Sequence, residues 1–394
     1  MGPAAPDSQR KESALQPTTP PAAARLDYID NLRWTVIFLV VAVHSGCTYS
    51  GMGSWYHMEP TTLSLAARFF FMLFLTFCQG FFMGFLFFVS ALFVPGSYDR
   101  KGPAKFLRDR FIRLGIPSLL YMLVVHPLTG QLLLDWWGND FAHGYLRFIT
   151  HLRFLSASGP MWFAVALFFF DVAYVCWKQF RPGAASPAAI QPKWRHIWIT
   201  GAAIAVLAFL IRTVQPIGTS VLNMQLCFFA QYVILFALGI VVRRRRWLEQ
   251  LTDKMAFTAL GLGTLGGLAA WIAMAAILHA IPNSFHLLDG GWNLPAAIFA
   301  LWESFYCVTI CTGLLGLYRH FYNRRGPVEA YLSDNAFGVY FIHPPVLIGI
   351  TLLMTSWVWP PVAKFAFAAA AAILASYAVT SLVLRRTPLL RRIL

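Results

Sequence analysis

Ten long apolar stretches, separated by short polar connections, make up most of this chain. They fall at approximately 34–50, 69–94, 114–134, 161–177, 196–211, 225–242, 255–280, 295–318, 336–355 and 362–384. A helix of roughly 20 apolar residues crosses the hydrocarbon core of a bilayer. The pattern therefore predicts an all-α, polytopic transmembrane bundle of about ten spans. Successive stretches are similarly spaced, but no internal sequence repeat accompanies the spacing.

Composition agrees. The 394 residues are 58% hydrophobic and only 12% charged, with a mean hydropathy of +0.61, whereas a soluble domain carries about 25% charged residues. The net charge of +15 raises the question of nucleic acid, and its distribution answers it. Of the 31 Lys and Arg residues, 26 lie at the termini or in the connections near 100, 185, 247 and 322. The other side has Arg68, Arg147, Arg153, Arg212 and Lys364. By the positive-inside rule both termini are cytoplasmic, so the excess charge is a topology signal and no nucleic-acid partner is expected.

Residues 1–24, rich in Pro, Ala, Ser and Thr, read as a disordered cytoplasmic tail, and 25–394 as one transmembrane domain. "RPGAASPAAIQP", 181–192, reads as a flexible cytoplasmic loop. Nothing at the start resembles a cleaved signal peptide. The six cysteines lie in or beside spans without His or carboxylate partners at metal-like spacing, so apolar packing is expected and no metal. "GLGTLG", 261–266, matches the dinucleotide fingerprint in letters but sits inside an apolar span, where close helix packing explains it better. Gly80 and Gly84 in "GFFMG" have the same explanation.

Ionisable groups at membrane depth are costly and are functional candidates for that reason. His44 lies ten residues into the first stretch, about 15 Å from its cytoplasmic end. Asp171, Glu303 and His343 reach similar depth on three other spans. Each has a blander alternative. A neutral His can tie helices together, a protonated carboxyl can serve as structural glue, and His343 followed by Pro344 and Pro345 can mark a broken helix. Arg33 and His44 are eleven residues apart, so they share a helix face about 16 Å apart along it. One face thus links a cation at the cytoplasmic surface to a potential base inside. Before the third span, Arg110 and Arg113 share a face at i,i+3 and can clamp a phosphate, or can simply mark the cytoplasmic boundary.

These residues carry a resemblance. Arg33, ten residues, then His44 resembles the signature of the type-three membrane acyltransferases, as does the acidic opening "LDYIDNLR" with Asp30. In order along the chain, "FFVSALF" (87–93) looks like the family's Phe-Phe-x-Ser-Gly element, with Ala91 where Gly is usual. "RFIRLGIP" (110–117) resembles its Arg-x-x-Arg element, and "GPMWF" (159–163) the opening of the next span, without the His often found before that Trp. "LSDNAFGVYFIHPPVL" (332–347) resembles the late Ser…Tyr-x-x-His element, giving Ser333, Tyr340 and His343. Within the family, "RFIRLGIP" and "GPMWF" look most like the branch containing the bacterial glucan succinyltransferases. No extracytoplasmic esterase-like domain is expected after the last span.

The resemblance implies an enzyme of the bacterial inner membrane that moves an acetyl or succinyl group from cytoplasmic acyl-CoA to a hydroxyl of a glycan or glycolipid. Arg33, Arg110 and Arg113 would hold the coenzyme's phosphates. His44 would act as general base, with Glu303 or Asp171 orienting its ring and His343 as a further catalytic candidate. The competing reading is a transporter of an envelope precursor, its midplane groups forming a proton relay.

Overall fold

The computed structural model describes residues 26–180, 188–280 and 285–394. The expected tail, 1–24, and the first part of the 181–192 loop lie outside the described residues. Among the described residues, ten helices are long and apolar enough to cross a membrane. They are α1 (Asp27–Ser50), α2 (Leu65–Ala91), α3 (Val94–Leu134), α4 (Gly159–Phe180), α5 (Trp194–Arg212), α6 (Leu226–Arg244), α7 (Asp253–His279), α8 (Leu294–Phe321), α9 (Pro327–Leu353) and α10 (Pro361–Arg386). No strand occurs among the described residues, apart from one isolated bridge between Val221 and Met224.

Local chemistry sets the ends of these helices. The α1 first turn carries Asp27 and Asp30, which favour a helix N-terminus, and Gly51 closes α1 in the left-handed conformation at φ 67°. Ser64 accepts the Ala67 N–H at the start of α2, and Asn293 accepts that of Ala296 at the start of α8. Pro327 opens α9, where the Glu329 carboxylate reaches back to the Gly326 N–H at 3.1 Å. α3 is less regular: it kinks at Gly102, which has a φ of 71°, and its turns widen at Phe111–Gly115 and again at Tyr121–Val125.

α1 packs against α2, α8, α9 and α10, and α2 packs closely on α6 through its second half. Small residues allow the close approaches. A Cβ on Gly80 would meet Tyr306 at 3.0 Å, and one on Gly84 would meet Gln231 at 2.7 Å. Within "GLGTLG", Gly263 lies against Ile310 and Thr309, so helix packing accounts for it. Ala91 points its methyl at Gly239, where an added Cβ would be 2.8 Å away. The described cysteines are all free, and all but Cys176 are buried. Leu65, Phe169, Ile199, Leu265, Ile277 and Leu374 are exposed, an outer surface suited to lipid.

Cations are paired with carboxylates at both ends of the bundle, at the basic end through Arg110–Asp171, Arg244–Asp99, Arg319–Asp253 and Arg325–Asp334. Two of the five cations at the end opposite the termini are buried in ion pairs. Arg212 is 1% exposed and paired with Glu303, and Lys364 is 3% exposed with its Nζ 2.7 Å from Glu59. Arg68, Arg147 and Arg153 are the other three cations at that end, so the split of Lys and Arg between the ends stays at 26 to 5. The positive-inside rule then predicts that a cysteine introduced at Trp247 resists a membrane-impermeant thiol reagent added outside intact cells. One introduced at fully exposed Val358 should react. The reverse pattern would invert the topology.

Candidate active site

His44 and His343 come together. His44 Nδ1 lies 3.0 Å from His343 Nε2, and the two rings are nearly coplanar, with planes 6° apart. The backbone of α9 determines which atom carries which proton. Pro344 has no N–H, so the carbonyl four residues earlier, on Tyr340, lacks its helical donor. His343 Nδ1 sits 2.8 Å from that oxygen. A carbonyl only accepts, so His343 Nδ1 carries the hydrogen and its Nε2 keeps a lone pair. His44 Nδ1–H donates to that lone pair, leaving His44 Nε2 as an acceptor. This tautomer assignment follows from the hydrogen-bond network. His44 is partly exposed and its Nε2 makes no hydrogen bond among the described residues, whereas His343 is fully buried.

The surroundings hold this pair in place. The Tyr340 hydroxyl donates to the Pro160 carbonyl in "GPMWF", and Asn223 Nδ2 holds Gly159 O at 2.8 Å. The segment between α1 and α2 folds over His44. Trp55 stacks on the ring at 3.9 Å between centroids. Tyr56 Oη lies 2.7 Å from His126 Nδ1 and 3.0 Å from Tyr121 Oη. His57 Nδ1 lies 3.3 Å from Thr351 Oγ1, and Glu59 pairs with Lys364. Burial lowers the His57 pKa and raises that of the Tyr56 phenol, favouring the neutral form of each.

Several expectations change. His44 is nearer the end of α1 opposite the termini than its start. α1 begins at Asp27, before the apolar stretch, so His44 is 17 residues from its start and six from its end, about 25 Å and 9 Å. Neither carboxylate orients the ring. Asp171 is fully buried beside Arg110, 3.3 Å from its Nε, and Glu303 is paired with Arg212 on α5. The physical reason is that each buried carboxylate already has a guanidinium, the partner that best offsets its desolvation. His343 does the orienting instead. α9 is not broken at Pro344 and Pro345 but runs on to Leu353.

Arg110 is turned inward to Asp171, over the Phe106 ring, while Arg113 is exposed. The widened turn that begins at Phe111 spoils the i,i+3 alignment, so the two do not form one fork here. Arg33 remains half-exposed on α1, 3.6 Å from Asp30. Sequence reasoning missed Trp55, Tyr56 and His126. The one signal for His126 was its His-Pro step, shared with His343.

The family described as Acyltransferase domain matches residues 26–381, nearly the whole chain, and with its ten apolar helices the protein belongs to the type-three acyltransferases of membranes. Comparisons with curated proteins and with solved structures gave no match.

Glu303 has a structural explanation that can be separated from chemistry. Arg212→Met or Glu303→Met alone leaves an unpaired buried charge and should cost about 3–5 kcal/mol of stability. The Arg212→Met/Glu303→Met double variant should recover most of that loss and retain acyl transfer. Thermal unfolding and turnover of all three variants test this. A stable double variant without turnover would return Glu303 to the chemistry.

Proposed function

We propose that this membrane acyltransferase is an O-acyltransferase that takes an acetyl or succinyl group from acyl-CoA at the basic end. The acceptor is a hydroxyl of a glycan or glycolipid, and His44 is the general base. One observation carries the reading: the hydrogen-bonded order Tyr340 carbonyl, His343, His44 leaves a lone pair on His44 Nε2 with no competing partner. A base must have such an atom within reach of the acceptor's proton. His343 then takes the role that a carboxylate often has, fixing ring orientation and tautomer and accepting from the imidazolium that forms.

The donor side rests on placement. Arg33 shares the α1 face of His44, about 16 Å away along the helix. It is half-exposed at the basic end, and Arg113 is exposed at the same end. A thioester anchored there by its phosphates extends along α1 toward the imidazole. Arg110 acts through its pair with Asp171, which joins α3 to α4. The acceptor enters from the opposite end, to which His44 is closer, so donor and acceptor approach along different routes. The cell envelope of a bacterium, with its inner membrane as the site of the enzyme, suits that two-sided arrangement.

Purified protein should release free thiol from acetyl- or succinyl-CoA when a glycan acceptor is present. His44→Asn, His44→Gln and His44→Ala should each lower turnover about 10²–10⁴-fold while donor binding persists. Arg33→Ala should instead raise the donor concentration needed. Near-normal turnover in His44→Asn would remove His44 from the chemistry.

A second prediction isolates the tautomer. Pro344→Ala supplies an N–H to the Tyr340 carbonyl, which then competes with His343. Turnover should fall at least about tenfold, within the range of a misplaced base, without loss of thermal stability. An unchanged rate would show that the freed carbonyl does not set the proton positions.

A further inference from the structure

Trp55 is not used by the mechanism above, yet it lies against its centre. The indole is parallel to the His44 ring within 13° and to that of His343 within 10°. It therefore covers one face of the plane that the two imidazoles share. Its Nε1–H is buried and has no hydrogen-bond partner among the described residues. A buried indole N–H ordinarily finds an acceptor, because an unmade hydrogen bond at such a site is costly.

The placement is built rather than incidental. Gly51 and Gly53, with φ of 67° and 81°, turn the chain back over α1. The residues after Trp55 are then tied to four helices. Tyr56 reaches Tyr121 and His126 on α3, and His57 reaches Thr351 on α9. Glu59 binds Lys364 on α10, and its N–H donates to Thr48 O of α1 at 2.9 Å. A segment pinned so often holds an unpaired donor over an imidazole whose Nε2 is itself unpaired. These two unused positions on stacked rings, one an acceptor and one a donor, match in kind the two oxygens of an acyl transfer, one losing a proton and the other gaining charge.

Resting on the acyltransferase reading, we propose that Trp55 Nε1–H donates to the acyl carbonyl oxygen during transfer. As the acceptor oxygen bonds to the acyl carbon, its proton passes to His44 Nε2. The carbonyl electron pair moves onto the carbonyl oxygen, which takes the Trp55 hydrogen bond as its charge develops. When the intermediate collapses, the carbonyl re-forms and the carbon–sulfur bond breaks. The departing thiolate recovers the proton from His44, leaving an ester and free thiol. A fixed donor aimed at the developing charge contributes about 10²–10³ in rate when measured by its removal. The indole face also lies over His44 while that ring is cationic, a favourable cation–π arrangement.

The test separates the N–H from the ring. In the full-length protein in lipid nanodiscs, Trp55→β-(3-benzothienyl)alanine keeps the shape and π face but replaces N–H with sulfur. Its turnover with acetyl-CoA or succinyl-CoA should fall about 10²-fold, with acyl-CoA affinity and melting temperature unchanged. Trp55→Phe should lose at least as much. A benzothienyl variant within about threefold of the unmodified protein would overturn the assignment, as would a loss explained by weaker donor binding or earlier melting. Absence of thiol release by the unmodified protein, indistinguishable from His44→Asn, would overturn the acyltransferase reading itself and this inference with it.

Discussion

The Tyr340 carbonyl is the constraint on which the rest of the site depends. In an uninterrupted helix it would bond to the N–H of residue 344, and His343 would have no fixed acceptor. Pro344 removes that N–H, and His343 takes the vacancy at 2.8 Å. One missing backbone donor therefore orients one imidazole, and that imidazole orients a second on another helix. Little freedom remains, because Tyr340 is itself held by the Pro160 carbonyl and the residue is buried. In lipid this coupling is stronger than in water, since no solvent stands ready to satisfy an alternative tautomer.

The buried charges serve a different purpose. Arg212–Glu303 joins α5 to α8, Arg110–Asp171 joins α3 to α4, and Lys364–Glu59 joins α10 to the segment over His44. Apolar side chains cannot distinguish a neighbouring helix from lipid by hydrophobicity alone, so specific polar contacts and close packing set which helices meet. The price is desolvation of both partners, and a pair retained under that cost fixes geometry more than it adds stability. This explains why membrane-depth carboxylates, ordinarily first suspects for catalysis, lie apart from the imidazole pair here.

The sequence made the span count legible because a hydrocarbon solvent imposes a coarse rule, about twenty apolar residues per crossing, that tolerates small errors in boundary. The same rule left the first turns of α1 uncounted. Depth was counted from Trp34, where the apolar stretch starts, but the helix starts at Asp27 in polar surroundings that hydropathy does not register. Partner choice was also out of reach. That Arg110 meets Asp171, and Arg212 meets Glu303, depends on which helices adjoin and how each is rotated, information that no single span contains. His343 was legible as a candidate, and its Pro-Pro neighbours were noticed as a disturbance. Their consequence required seeing the helix continue through them. Trp55 was illegible because an indole in a connection has no periodicity to mark it.

The chain contains the His-Pro step twice, and the comparison shows what context adds to a motif. At His126–Pro127 the carbonyl four residues back, on Leu123, accepts the Tyr145 hydroxyl at 3.0 Å. His126 therefore has no claim on it and turns its Nδ1 to Tyr56. At His343–Pro344 no tyrosine among the described residues takes the freed oxygen, and the histidine does. The same dipeptide thus yields two different outcomes, one inside a regular helix and one after the widened turn at Tyr121–Val125. One fixes the ring that contacts the edge of His44, and the other anchors the residue next to Trp55, which covers its face. Edge and face of a single imidazole are in this way set by two helices that share no contact with its own backbone hydrogen bonds, and the precision of the site follows from both.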